Sequence, residues 1–385
     1  MSYDLQVWSA GATDLSVVLP ESEKWSNCAG SWVHERRAWQ VNVAQSVKVL
    51  PEDLPEEVAR SLPGIAYLTE LTLSPIDAPE VARKFLSRAA AAIAKATHGV
   101  MFDPQTDQVT LPSGIKRFAA TGASENASVI SLSWWFVDGP IARGEFGSLI
   151  DVLEAELPEG LPRRYGSFEP PQHLYADTGR EHLIKFLAEN LRGQIVIWYP
   201  SAPVAHVHLG LPDNIGASKR GFRSAYFNLE FDAEALHQPG WQSALRRLWF
   251  SIGQVLRPFY GDVRTLTGYG RNRGRYWVTR STQRHPVIAW WWCGMPPGPA
   301  HAFVLGTPYS SLWPEARAAA MDQDGLVFVS TDDWTSTASA FDRTGDPPES
   351  TRLVDTGASN DVIPREYPSN WPFGPPKLLR GRPSG

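Results

Sequence analysis

Residues 241–266 read WQSALRRLWFSIGQVLRPFYGDVRTL, a helix running straight into a strand. Trp241, Leu245, Leu248, Trp249, Ile252, Val255 and Leu256 recur at helical spacing, while Gln242, Arg246 and Arg247 fall largely off that stripe. Such a stripe predicts an amphipathic helix with one face turned to a core. Pro258 ends it, because proline lacks the N–H that the ladder needs, and YGDVRTL then reads as a strand. The preceding strand, Tyr226–Phe231, alternates in the same way. Strand, helix and strand on one face imply an α+β layer.

Working outward, the pattern recurs. VISLSWWFV (129–137) predicts an aromatic-rich strand, and Leu149, Ile150, Leu153 and Leu157 predict a helix over 146–157. Residues 158–177 read as loop, His182–Leu191 as a short helix, and 194–199 and 204–211 as strands. The N-terminal segment reads as strand-like, with Tyr3, Leu5 and Val7 on one parity and then Val17-Val18-Leu19 before a proline. Strands are expected from Trp39 to Val49 and over Tyr67–Leu73, with a short helix opening at Pro51. Val81, Phe85, Leu86, Ala89 and Ile93 predict a helix to Thr97, with Asp77 as its cap and Pro79 and Glu80 at its start. Residues 99–102 and 108–111 flank a DPQTD turn.

The fold expectation is therefore α+β, with two sheet-plus-helix units that a degenerate duplication would produce. The units are residues 1–118 and 129–342, separated by the small, polar linker 119–128. A flexible Pro/Gly-rich tail follows over 343–385.

Composition narrows the classes. The 43% apolar and 20% charged residues are those of a soluble globular protein. A formal charge of −5 gives no electrostatic case for nucleic acid, and a basic partner suits it better. No apolar run is long enough for a membrane span. The N-terminus has no secretory signature. Cys28 and Cys293 lie in no CxxC pattern, which fits a reduced, cytoplasmic setting.

Few residues suggest chemistry. His206 and His208 in AHVHLG point to one side of a strand, so both imidazoles can reach one zinc or iron ion. A third ligand would come from His173, His182 or Asp232. Two histidines at this spacing are also common on solvent-facing strands. Asp103, Asp107 and Asp138, or Glu169 and Asp177, are candidate carboxylate pairs, although turn chemistry accounts for DPQTD equally well. Cys293 follows an apolar run, which disfavours a reactive thiolate, and Cys28 has no stronger claim. GYGRNRGRYW (268–277) interleaves Arg271, Arg273 and Arg275 with aromatics but has no phosphate-loop spacing, so it reads as an exposed loop open to an acidic partner.

Sixteen tryptophans, three of them consecutive at Trp290, Trp291 and Trp292, are the strongest feature left. They serve a packed core or a recognition surface. On the second reading the contact residues are the exposed members among Trp290, Trp291, Trp292, Tyr309 and Trp313, with Arg271, Arg273 and Arg275.

The same residues carry a family resemblance. The helix and exit at 241–264, with Trp241, Leu248-Trp249 and Pro258-Phe259-Tyr260-Gly261, are one part. The stretch WWWCGMPPGPAHAFVLGTPYSSLW (290–313), with Gly294-Met295-Pro296, Leu305-Gly306-Thr307-Pro308-Tyr309 and Leu312-Trp313, is the other. Together they resemble bacterial polymorphic-toxin immunity proteins, nearest immunity protein family 52, over residues 170–335. The resemblance implies a non-enzymatic cytoplasmic protein, without catalytic residues or cofactor, that binds and neutralises a cognate toxin. Two alternatives stay open: a metal-dependent hydrolase using His206 and His208, and a structural subunit of a defence or secretion assembly.

Overall fold

The computed structural model describes residues 3–19, 24–28, 31–75, 77–104, 108–111, 114–116, 125–167, 171–194, 196–218, 221–272, 275–277, 279, 282–283, 285–287, 291–292, 294–296, 298–307, 309–348 and 351–352. The fold is α+β, with helices packed on antiparallel sheets. The chain divides into two compact units, residues 1–123 and 124–385.

In the first unit the strands are β1 (Tyr3–Ser9), β2 (Ser26–Cys28), β3 (Ser31–Arg36), β4 (Trp39–Ala44), β5 (Val47–Lys48), β6 (Tyr67–Ser74), β7 (Val100–Asp103), β8 (Gln108–Leu111) and β9 (Gly114–Lys116). They pair in the order β2-β3-β4-β6-β1-β7-β8-β9, with β5 also on β6. Helix α1 (Glu80–Ala96) joins β6 to β7. Its buried stripe is Ala82, Phe85, Leu86, Ala89, Ala90, Ile93 and Ala94, and it packs on Leu5, Val7, Val41, Val43, Leu71 and Leu73. The small alanines let the helix lie close to the sheet, and each large side chain sealed there contributes about 1.5–3 kcal/mol.

Three local expectations are corrected in this unit. Val81, placed on the stripe by its spacing, is 61% exposed. The α1 N-cap is Pro79, with no side-chain cap, so Asp77 does not fill that place. Leu15–Val18 forms one helical turn, because Asp14 caps it by accepting the Ser16 N–H at 3.0 Å.

The second unit is built on a larger sheet of β10 (Glu125–Phe136), β11 (Val204–Gly210), β12 (Ala225–Asp232), β13 (Tyr260–Asn272), β14 (Arg275–Trp277), β15 (Ala302–Leu305), β16 (Met321–Gln323) and β17 (Leu326–Ser330). The order is β11-β12-β10-β13-β15-β17-β16, with β14 on β13. β10 begins at Glu125, so residues 125–128 belong to a central strand and not to a linker. Helices α2 (Gly147–Glu156), α3 (Tyr175–Asn190) and α4 (Trp241–Leu256) accompany it.

Helix α4 seals one sheet face. Leu245, Leu248, Trp249, Ile252 and Leu256 are buried, with Trp241 and Val255 half-buried at the margin, as the sequence stripe predicts. They cover Ile130, Leu132, Trp134 and Phe136 of β10 together with Phe227, Leu229, Val263 and Phe328. Trp134 stacks on Trp249 at 4.7 Å, and Phe250 stacks on Phe328 at 4.2 Å. Arg257 ends the helix in the left-handed region at φ 50°, immediately before Pro258.

The two sheets differ in strand order but have one local feature in common. The first strand lies mid-sheet between two antiparallel neighbours, β6 and β7 beside β1 and β12 and β13 beside β10. One helix joins each neighbour pair, α1 in the first unit and α4 in the second.

The tail expectation is corrected at its start. Residues 341–344 form a helical turn, Thr351 is buried, and the Met295 N–H donates to the Thr351 carbonyl at 2.9 Å. The chain is thus held as far as Arg352, and the stretch 353–385 lies outside the described residues.

Candidate functional site

The site lies on the sheet face of the second unit that points away from α4. Alternation turns Ser131, Ser133 and Trp135 of β10 to this side. The cross-strand register adds Tyr226, Asn228, Glu230 and Asp232 of β12, then Tyr260, Asp262 and Arg264 of β13. From the edge strand β11 come His206, opposite Glu230, and His208, opposite Asn228.

One half of this face is aromatic and closed. Trp135, Tyr260, Phe303, Leu305, Val327 and Val329 are covered by Val287, Trp292, Met295, Tyr309, Trp313 and Phe341. The Trp292 indole N–H donates to the Tyr309 hydroxyl at 2.9 Å, and Trp313 stacks on Phe303 at 4.9 Å. Trp292, Tyr309 and Trp313 are at most 1% exposed. This corrects their reading as contact residues: Trp292 and Tyr309 pack on and hydrogen-bond to each other, Trp313 packs between Phe303 and Phe341, and all three are core. Trp291 is described in its backbone alone, pairing with Arg223, and Trp290 lies outside the described residues.

At the boundary stands a buried charge network. Asp262, fully buried, accepts from Arg264 Nε at 2.5 Å, His285 Nε2 at 3.0 Å and the Tyr260 hydroxyl at 3.1 Å. Burial alone raises the Asp262 carboxyl pKa, but the Arg264 guanidinium and His285 outweigh it and hold the group at about 2. Arg264 also donates to the Pro296 carbonyl at 3.0 Å, which ties the covering segment to the sheet. The Val287 N–H points at His285 Nδ1 at 3.1 Å, so both ring nitrogens are engaged and the pair resembles a structural brace more than a catalytic dyad.

The other half is polar. Asn228 donates to the Ser131 and Ser133 hydroxyls at 2.8 and 2.9 Å, all three side chains being buried. Glu230 accepts from the Tyr269 hydroxyl at 3.0 Å, and burial pushes its carboxyl up to about 7. The His206 and His208 ring centroids lie 5.8 Å apart. Burial, with a smaller contribution from His208, pulls His206 down to about 4, and its Nε2 is buried with no hydrogen-bond partner among the described residues. His208 is exposed.

The remaining sequence candidates are dispersed. Asp232 accepts from Arg271 at 2.9 Å and Tyr276 at 2.6 Å, and Arg271 also pairs with Glu234 at 2.7 Å. Arg271 is therefore committed within the fold and is not a free cation for a partner. Arg275 is described in its backbone alone, and Arg273 lies outside the described residues. His173 and His182 lie against each other at 4.8 Å around Tyr165, whose hydroxyl meets His182 Nδ1 at 2.7 Å. His173 is half-buried and His182 exposed, and both pack against Tyr165, which belongs to the cluster on the α4 side of the sheet, so neither supplies a third ligand to His206 and His208. Asp103 accepts from Tyr3 at 2.6 Å as a turn-end contact, Asp177 is the first-turn acid of α3, and Asp107, Glu169 and Cys293 lie outside the described residues. Cys28 is an exposed free thiol.

Among the described residues no three His, Cys, Asp or Glu side chains are placed so that they could hold a metal ion together. Among them, too, no helix is long and apolar enough to cross a membrane. Sequence reading missed Asp262, Arg264, His285 and Glu230. The charged alternation Asp262-Val263-Arg264 inside a strand was a visible signal, since charges on a covered face need partners. No family model, no curated protein and no solved structure matches this chain.

Proposed function

We propose that this chain is a non-enzymatic, cytoplasmic interaction protein that binds and neutralises a cognate bacterial toxin by covering it. The observation that supports the reading is what the residues behind the immunity-protein resemblance do together. Leu248 and Trp249 seal one sheet face, while Phe259, Tyr260, Trp292, Met295, Tyr309 and Trp313 seal the other. Gly306 fits because a Cβ there would stand 2.1 Å from the Pro258 carbonyl oxygen. The two stretches thus form one scaffold, and steric occlusion of roughly 800 Å² per partner needs no reacting group. With those rings inside, the contact role passes to the polar half, where His208 is exposed and Glu230 half-buried.

Co-production with a toxin encoded beside this chain tests the reading. The expected result is restored growth and a complex that survives gel filtration. Growth arrest unchanged by the full chain, with no complex recovered, overturns it.

A further inference from the structure

We propose that His206, His208 and Glu230 bind one divalent transition-metal ion, of the zinc or nickel class, at the edge of the larger sheet. This goes beyond toxin neutralisation and does not rest on it.

Geometry carries the argument. His206 and His208 stand two residues apart on β11, so the strand period puts both rings on one face, 5.8 Å between centroids. That separation suits two imidazoles meeting one ion at metal–nitrogen distances of about 2.0–2.1 Å. Among the described residues, His206 Nε2 is buried without a hydrogen-bond partner. A buried ring nitrogen in that state calls for an ion or a water.

Glu230 supplies the third donor. It faces His206 directly across the β11–β12 ladder, where opposed Cβ atoms lie about 4.5–5.5 Å apart. Its carboxyl accepts from Tyr269 and is in no ion pair among the described residues. As placed, the three side chains do not converge, and an ion held by the two rings requires the Glu230 carboxylate to turn about its own side-chain bonds away from Tyr269. The neighbouring alternatives are already committed, Asp232 to Arg271 and Tyr276 and Asn228 to the two serines. Two imidazoles and one carboxylate select zinc, nickel or copper over magnesium and calcium, which prefer all-oxygen shells.

The test uses the full chain, freed of metal with a chelator. Zinc chloride is titrated by calorimetry, and cobalt(II) is followed by the visible absorption of a low-coordinate centre. One ion per chain is expected, with a dissociation constant of roughly 1 μM or tighter. His208→Ala removes an exposed ring and serves as the variant least damaging to the fold. It and Glu230→Gln should each weaken zinc at least about tenfold. Binding that is absent from the wild-type chain overturns the site, as does binding that survives His208→Ala. Unchanged affinity in folded Glu230→Gln overturns the three-donor assignment. Circular dichroism of each variant confirms that a loss of binding is not a loss of fold.

Discussion

Arg264 donates its Nε–H to Asp262 at 2.5 Å, two residues away on the same strand, with side-chain exposures of 6% and 0%. The ion pair is enclosed on one side by the sheet and on the other by the aromatic cover. Charges placed so deeply are stable only while they keep each other and their remaining hydrogen bonds.

Removing one partner is therefore costly. Arg264→Ala leaves the Asp262 carboxylate with His285 and Tyr260 alone, and should destabilise the second unit by about 3–5 kcal/mol. Urea denaturation followed by tryptophan fluorescence measures this. The double variant Asp262→Asn/Arg264→Leu should lose clearly less than the sum of its single changes, since no uncompensated charge then stays inside. Strict additivity would sink the claim that the two groups act as a pair.

The same carboxyl sets an acid limit. Its pKa in the fold, about 2, lies below the unfolded value of 3.8. A depressed carboxyl contributes stability that is fully present above the unfolded value and is lost as pH falls through the folded one. The contribution is about 2 kcal/mol, shed across the window from roughly pH 4 to 2. Asp262→Asn should flatten stability against pH in that window, relative to the wild-type chain. Parallel curves would contradict it.

Trp292 separates core from contact surface. Trp292→Ala opens a cavity among Trp135, Phe259, Tyr260 and Tyr309 and should cost about 3–5 kcal/mol. A partner-facing indole would change stability by no more than about 0.5 kcal/mol. Tyr309→Phe removes the acceptor of the indole N–H and should cost about 1–3 kcal/mol. Thermal melts of the two variants are the measurement.

Local periodicity made the α4 stripe legible, because large apolar groups alternate there with polar ones at helical spacing. In α1 the stripe is carried partly by alanines, so Val81 drew the reading one residue off the buried face. Strand parity was equally legible along β10 and β12. The fate of Trp292, Tyr309 and Trp313 was not, since burial depends on whether a second layer covers a strand, and that layer arrives from residues 287–341. The brace on Asp262 was hidden for the same reason, His285 lying 23 residues away in a loop.

Gly253 shows where the α4 packing is tightest. A Cβ built there would stand 2.9 Å from two ring atoms of Phe328 and 3.9 Å from the Trp134 indole nitrogen. Glycine lowers helix propensity by about 0.8–1.0 kcal/mol relative to alanine, so on propensity alone Gly253→Ala should stabilise the helix. Contact opposes that gain. Phe328 is also stacked on Phe250 at 4.2 Å and cannot retreat without separating that pair. Overpacking of this kind costs about 1–3 kcal/mol, which makes the expected net change destabilising or near zero for Gly253→Ala. Gly253→Val adds two further methyl groups against the same ring and should be worse by at least about 1 kcal/mol. Denaturation midpoints of the two variants decide the matter: a rise in both would mean that the helix stands further from β17 than these contacts allow.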